Sequence, residues 1–135
     1  MRFKFLFRSS DQPKDGFTQE EREAIVDILH YGMYADHHLS VSEDQAIEAA
    51  VRTLDWDPRI SYEFYEGKST GIVRAAMADP ERKEAFFESL RARLKSPDHR
   101  KFALNIVDDL MKAEGVRKDS EKRVSAELRK ALGEA

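Results

Sequence analysis

The chain contains no cysteine. Disulfides, thiolate nucleophiles and cysteine-ligated zinc are thereby excluded, and a reducing, cytoplasmic setting is the expectation that fits. Glycine (6 of 135 residues) and proline (4) are scarce, so the chain has few obligatory stopping points. No apolar run approaches the roughly 20 residues that a membrane-spanning helix needs. Neither sign of charge dominates: 23 basic and 26 acidic residues are interspersed and leave a net charge of −3. That pattern offers no phosphate-binding face, so nucleic acid is not an expected partner. Also missing are a nucleophile–base constellation, a glycine-rich phosphate loop and a glycosidase-like acid pair. Asp108 and Asp109 are adjacent on a helix and point apart. The expectation is a protein that is not an enzyme.

With 41% hydrophobic and 36% charged residues, the sequence is that of one soluble domain with a buried core and a heavily charged surface. Its main internal feature is a repeat at an offset of 78 residues. Met33, Ala35, Asp36, Ser42 and Glu43 recur as Met111, Ala113, Glu114, Ser120 and Glu121, with Ile28 meeting Ile106 and Leu54 meeting Leu132. Each copy reads as an apolar helix, an acid, a short loop, and a second acid opening another helix.

Helix signals are frequent. Thr18 with Glu21 forms a capping box, followed by Ile25, Ile28, Leu29 and Met33 at helical spacing, and the helix should reach about Tyr34. Ser40 with Glu43 forms a second box ahead of Ala46, Ile47, Ala50, Val51 and Leu54. Asp57-Pro58 is read as the cap of a short third helix. Gly67 and Gly71 are expected to break the next stretch, leaving a short helix over Ile72–Met77. Asp79-Pro80 caps a helix with Phe86, Phe87, Leu90 and Leu94 inward. Ser96-Pro97-Asp98 opens another, with Phe102, Ala103, Ile106, Val107, Leu110 and Met111 inward, stopped by Gly115. A last helix runs from about Ser120 through Val124, Leu128 and Leu132 to Gly133. The fold expected is an all-α compact bundle of about six or seven helices with a pseudo-repeated helix-loop-helix. Residues 17–135 form the domain. Residues 1–16 are an arm and linker, in which Arg2-Phe3-Lys4-Phe5-Leu6-Phe7-Arg8 either lies on the body as a strand or docks on a membrane surface or protein partner.

The two joints carry the candidate chemistry. Asp36 stands at a helix C-terminus, where the macrodipole does not favour a carboxylate, so local helix energetics leave it unexplained. Glu43 is explained by its capping box. The same split applies to Glu114 and Glu121. Four carboxylates brought together need protons, basic partners or a cation, and hard oxygen donors suit Ca²⁺, Mg²⁺ or Mn²⁺. The alternative is neutralisation by Arg52, Arg59, Arg117 or Lys118. The loops are too short for an EF-hand and lack its pattern.

The pattern Ala-Asp-x-x-Leu-x-x-x-Glu at Ala35–Glu43, repeated in altered form at Ala113–Glu121, resembles the tellurite-resistance TerB family over Phe17 to Gly133. His37 occupies the position where that family has glycine, whereas the second copy keeps Gly115 but has Glu114 for aspartate. The resemblance implies a small all-helical domain with a pseudo-repeat and a metal-binding acid cluster, here Asp36, Glu43, Glu114 and Glu121. It also implies a role in metal or oxyanion stress, or as an adaptor at the inner face of the membrane. A protein-interaction module with no metal site is the competing expectation.

Two further groups of residues carry possible chemistry. Asp27 and His30 stand one helical turn apart, with Tyr34 a turn beyond. A di-iron bundle would need a second acid–histidine helix, where the repeat offers only Asn105 and Asp108. His30, His37, His38 and His99 are therefore expected at surface or half-buried positions, with His37-His38 able to bind zinc only weakly. Trp56, Tyr62, Phe64 and Tyr65 form an aromatic group expected to fill space between helices, or else to offer a partner surface.

Overall fold

The structure is a computed structural model that describes residues 16–34 and 39–133. These residues form six α-helices and no strand: α1 (Gln19–Met33), α2 (Val41–Arg52), α3 (Tyr62–Ala78), α4 (Pro80–Arg93), α5 (Pro97–Ala113) and α6 (Lys118–Leu132). The expected all-α bundle is what the chain adopts. The arm, Asp36, His37 and His38 lie outside the described residues.

The local capping signals act as read. Thr18 and Ser40 each close a full capping box, and Asp79 and Ser96 accept from the amide three residues on; Ser61 does the same at the start of α3, a cap not expected from the sequence. Gly115 and Gly133 end α5 and α6 in the left-handed region, at φ +73° and +74°, where a side chain would be strained. Two expectations are corrected. Asp57-Pro58 opens no helix; the Asp57 carboxylate accepts instead from the Arg59 amide (2.9 Å) in a turn. Gly67 and Gly71 do not break α3, which runs 17 residues through both. Each glycine costs a helix about 1 kcal/mol relative to alanine, which packing against α1 and α4 outweighs.

α1 is the central helix and contacts all five others. Ten consecutive residues, Ala24 to Met33, are buried, so the helix is enclosed on every side rather than amphipathic. α5 runs beside it in the same direction. Near the start Glu21 meets His99, and near the end Gly32 faces Val107 and Met111. The pair Glu21–His99 has the 78-residue offset of the repeat and lies where α1 and α5 pack together.

Gly32 allows that approach. A Cβ there would stand 2.5 Å from Val107 Cγ2, and Val107 is a stiff, fully buried side chain. Overpacking costs about 1–3 kcal/mol, against about 1 kcal/mol gained in helix propensity. Gly32→Ala is thus expected to destabilise by up to about 2 kcal/mol, read from the urea midpoint.

Candidate metal centre

Three of the four joint acids are described. Glu43 is the third residue of α2, and its side chain accepts from the Ser40 amide at 2.9 Å. Glu114 caps α5, where desolvation and then the neighbouring Glu43 carboxylate raise its pKa against a hydrogen bond from Ser42. Its Oε2 is buried without a partner. The structure thus brings one acid of each joint together. Glu121 lies 3.9 Å from Lys112, beside a groove of about 500 Å³ lined by Lys112, Lys118, Lys122 and Arg129. The arginines expected to neutralise the joints pair elsewhere: Arg52 with Glu48, Arg59 with Asp57, Arg117 with Asp119.

A second polar centre lies where α1, α2 and α3 meet. His30 of α1 is 0% exposed, not half-buried as the sequence led us to expect. Its Nδ1 is 2.9 Å from Ser69 Oγ, and Ser69 Oγ is 2.6 Å from Asp27 Oδ1. A carboxylate only accepts, so the Ser69 hydrogen points to Asp27 and Ser69 accepts from His30. The proton of His30 is therefore on Nδ1, and Nε2 carries a bare lone pair. Asp27 is fixed in turn by Tyr65 Oη (2.9 Å) and Arg93 (2.7 Å). Burial pushes the His30 pKa down to about 4, against the pull of Asp27 and Asp44. At neutral pH the ring is an uncharged donor of one electron pair.

That lone pair faces Asp44 of α2 and Glu66 of α3. One ligand atom from each of His30, Asp44 and Glu66 lies within 4.8 Å of the other two. His30 Nε2 and Asp44 Oδ1 stand 4.0 Å apart, beyond hydrogen-bond reach, and both are buried without a partner. The Tyr62 hydroxyl is a third unpartnered atom. Burial and the carboxylates of Glu66, Asp44, Glu48 and Glu63 push its pKa up, which places it in the same acidic neighbourhood. Three of the four unpartnered buried side-chain atoms among the described residues therefore belong to one centre, and the fourth is Glu114.

Asp44 and Glu66 cannot both be charged at low cost. Their shared hydrogen bond, then desolvation and the nearby charges of Asp44, Glu48 and Glu63, push Glu66 up to about 8. Folding raises that pKa from 4.5, so the stability it contributes is complete below 4.5 and lost as pH rises through about 8. His30 acts oppositely: its stability is present above 6.5 and lost as pH falls through about 4. Above pH 6.5 only the Glu66 contribution still changes. Chelator-treated protein should lose stability between pH 6.5 and 8 in urea titrations, and Glu66→Gln should flatten that slope.

The aromatic group packs partly as expected. The Trp56 ring lies 5.5 Å from Tyr62 and 5.9 Å from Tyr65, but Phe64 is 75% exposed. Comparison of the chain with protein-family models, curated proteins and solved structures finds no match. No helix among the described residues is long and apolar enough to cross a membrane.

Proposed function

We propose that this protein is a non-enzymatic, divalent-cation-binding helical domain whose ion is held by His30 Nε2, Asp44 and Glu66. The observation that carries this reading is the bare, fully buried Nε2 directed at two carboxylates. An unpaired buried polar atom costs about 1–3 kcal/mol, and a cation held with the two carboxylates would supply that partner. Metal-bound histidines characteristically donate their other ring N–H to an outer hydrogen-bond partner. Ser69, backed by Asp27 and Arg93, fills that position. One imidazole with two carboxylates suits Zn²⁺, Mn²⁺ or Fe²⁺, whereas all-oxygen sites suit Ca²⁺ and Mg²⁺. The reading differs from the sequence expectation both in its residues and in its donor set, one nitrogen and two carboxylates in place of four carboxylates. A TerB-like role in metal or oxyanion stress, or at the membrane, is a setting in which such a centre has use.

The test is equilibrium dialysis of chelator-treated protein against Zn²⁺, Mn²⁺, Ca²⁺ and Mg²⁺. One zinc or manganese ion per chain is expected, lost in Glu66→Gln and Asp44→Asn. It should persist in Glu43→Gln and in the H37A/H38A double variant. Loss instead in an Asp36→Asn/Glu114→Gln variant would return the ion to the joints. No bound ion in any case would leave the interaction module.

A further inference from the structure

The three ligands come from three helices, and one of these is held less firmly than the rest. α1 is enclosed by the whole bundle, and α3 packs extensively on both α4 and α1. α2 rests chiefly on α1, through Ala46, Ile47, Ala50 and Val51. Two of those four side chains are alanines, which bury little apolar surface. A helix of 12 residues has little stability of its own.

The polar side chains of α2 that approach other helices, among the described residues, lie in its first turn. Asp44 faces His30 Nε2 at 4.0 Å and Glu66 within 4.8 Å, and Glu114 lies in the electrostatic reach of Ser42 and Glu43. Each place brings two carboxyls near one another, Glu43 with Glu114 and Asp44 with Glu66. Whenever both carboxyls of a pair are ionised, their repulsion works against the docking of α2. A cation between Asp44, Glu66 and His30 reverses the sign of one such repulsion and links α2 to α1 and α3 at once.

We propose that the ion bound by His30, Asp44 and Glu66 is a clamp on α2, so that loading or losing the ion determines whether α2 is docked or released. The inference rests on the metal centre proposed above and adds its consequence. Release would uncover the α1 surface that α2 covers, while α3–α6 keep their own packing around the remainder of α1. The device is an ion-dependent helix, not an ion-dependent fold.

Hydrogen exchange followed by mass spectrometry, with zinc alone as the probe, tests this on the full chain. Without metal, the amides of residues 41–52 should exchange faster than those of α1 and α5. With free zinc at about 100 times its dissociation constant, any opening that dismantles the centre becomes roughly a hundredfold rarer. Exchange in α2 should slow by about that factor, while locally opening amides in α4 and α6 keep their rates. Glu66→Gln should abolish the slowing, with Asp44→Asn as the second variant should the first fail to fold. Zinc bound by dialysis but α2 exchange unchanged would overturn the clamp and leave the centre standing. An equal slowing across all six helices would also overturn it, because α2 would then open only with global unfolding. Absence of bound zinc would fail the centre itself, and the clamp with it.

Discussion

Asp27→Ala is expected to cost about 3–5 kcal/mol, the range for removing one partner of a buried ion pair. Asp27 is 1% exposed and accepts from Ser69, Tyr65 and Arg93. Its loss leaves a largely buried guanidinium without a counter-charge and two hydroxyls without an acceptor. Urea unfolding monitored by circular dichroism gives the number. Asp27→Asn, which retains an acceptor, should cost less. The same change has a second effect that destabilisation alone would not produce. Without Asp27, the Ser69 hydrogen is free to point to His30 Nδ1. The ring proton then moves to Nε2, the atom assigned to the ion. Zinc affinity should fall by about 10–100-fold, the usual effect of losing an outer-shell partner, in variants that are still folded. Unchanged affinity in folded Asp27→Asn and Asp27→Ala would break the link between the buried network and the centre.

The second large effect is on thermal stability. An ion that binds only the folded state at about 100 times its dissociation constant adds roughly 2.7 kcal/mol. For a chain of this size that is a rise in melting temperature of about 10 °C. Zn²⁺ or Mn²⁺ should produce it and Ca²⁺ or Mg²⁺ should not, because the centre has a nitrogen donor and only two carboxylates. Glu66→Gln should lose the shift while Glu43→Gln keeps it, since Glu43 serves the α2 capping box. A shift with Ca²⁺ that disappears in Asp36→Asn/Glu114→Gln would point to the joints instead.

The helix boundaries were legible because their signals are local. A serine, threonine or aspartate three residues ahead of the amide it caps carries the same physics in any fold. Pro80 and Pro97 sit where only a first helical turn accepts them. The α3 error has the opposite origin: Gly67 and Gly71 are penalties of about 1 kcal/mol each, and packing by distant helices decided against them. The two segments that share the repeat pattern pack along α1 and α5, with Glu43 of one joint acting electrostatically on Glu114 of the other.

The metal centre was not legible as a set. His30, Asp44 and Glu66 come from three helices with no fixed spacing, and no local rule gathers them. One signal was present nevertheless. From Ala24 to Met33 the apolar residues are not restricted to one face: Ala24, Val26 and Tyr31 accompany Ile25, Ile28 and Leu29. A helix apolar on all sides is buried, so Asp27 and His30 within it had to be buried. Asp27 was noted for its spacing to His30, but its actual partners, Ser69, Tyr65 and Arg93, lie 38 or more residues away.

The most direct test of the account is a long-range ¹H–¹⁵N NMR spectrum of the histidine side chains, assigned by residue, before and after one equivalent of zinc. In metal-free protein at neutral pH, His30 should be uncharged with its proton on Nδ1. On addition of zinc, Nε2 of His30 should move sharply while Nδ1 remains protonated. A charged His30 ring at neutral pH, or an Nε2 resonance that stays in place while zinc is bound, would contradict the assignment of the ion to this centre.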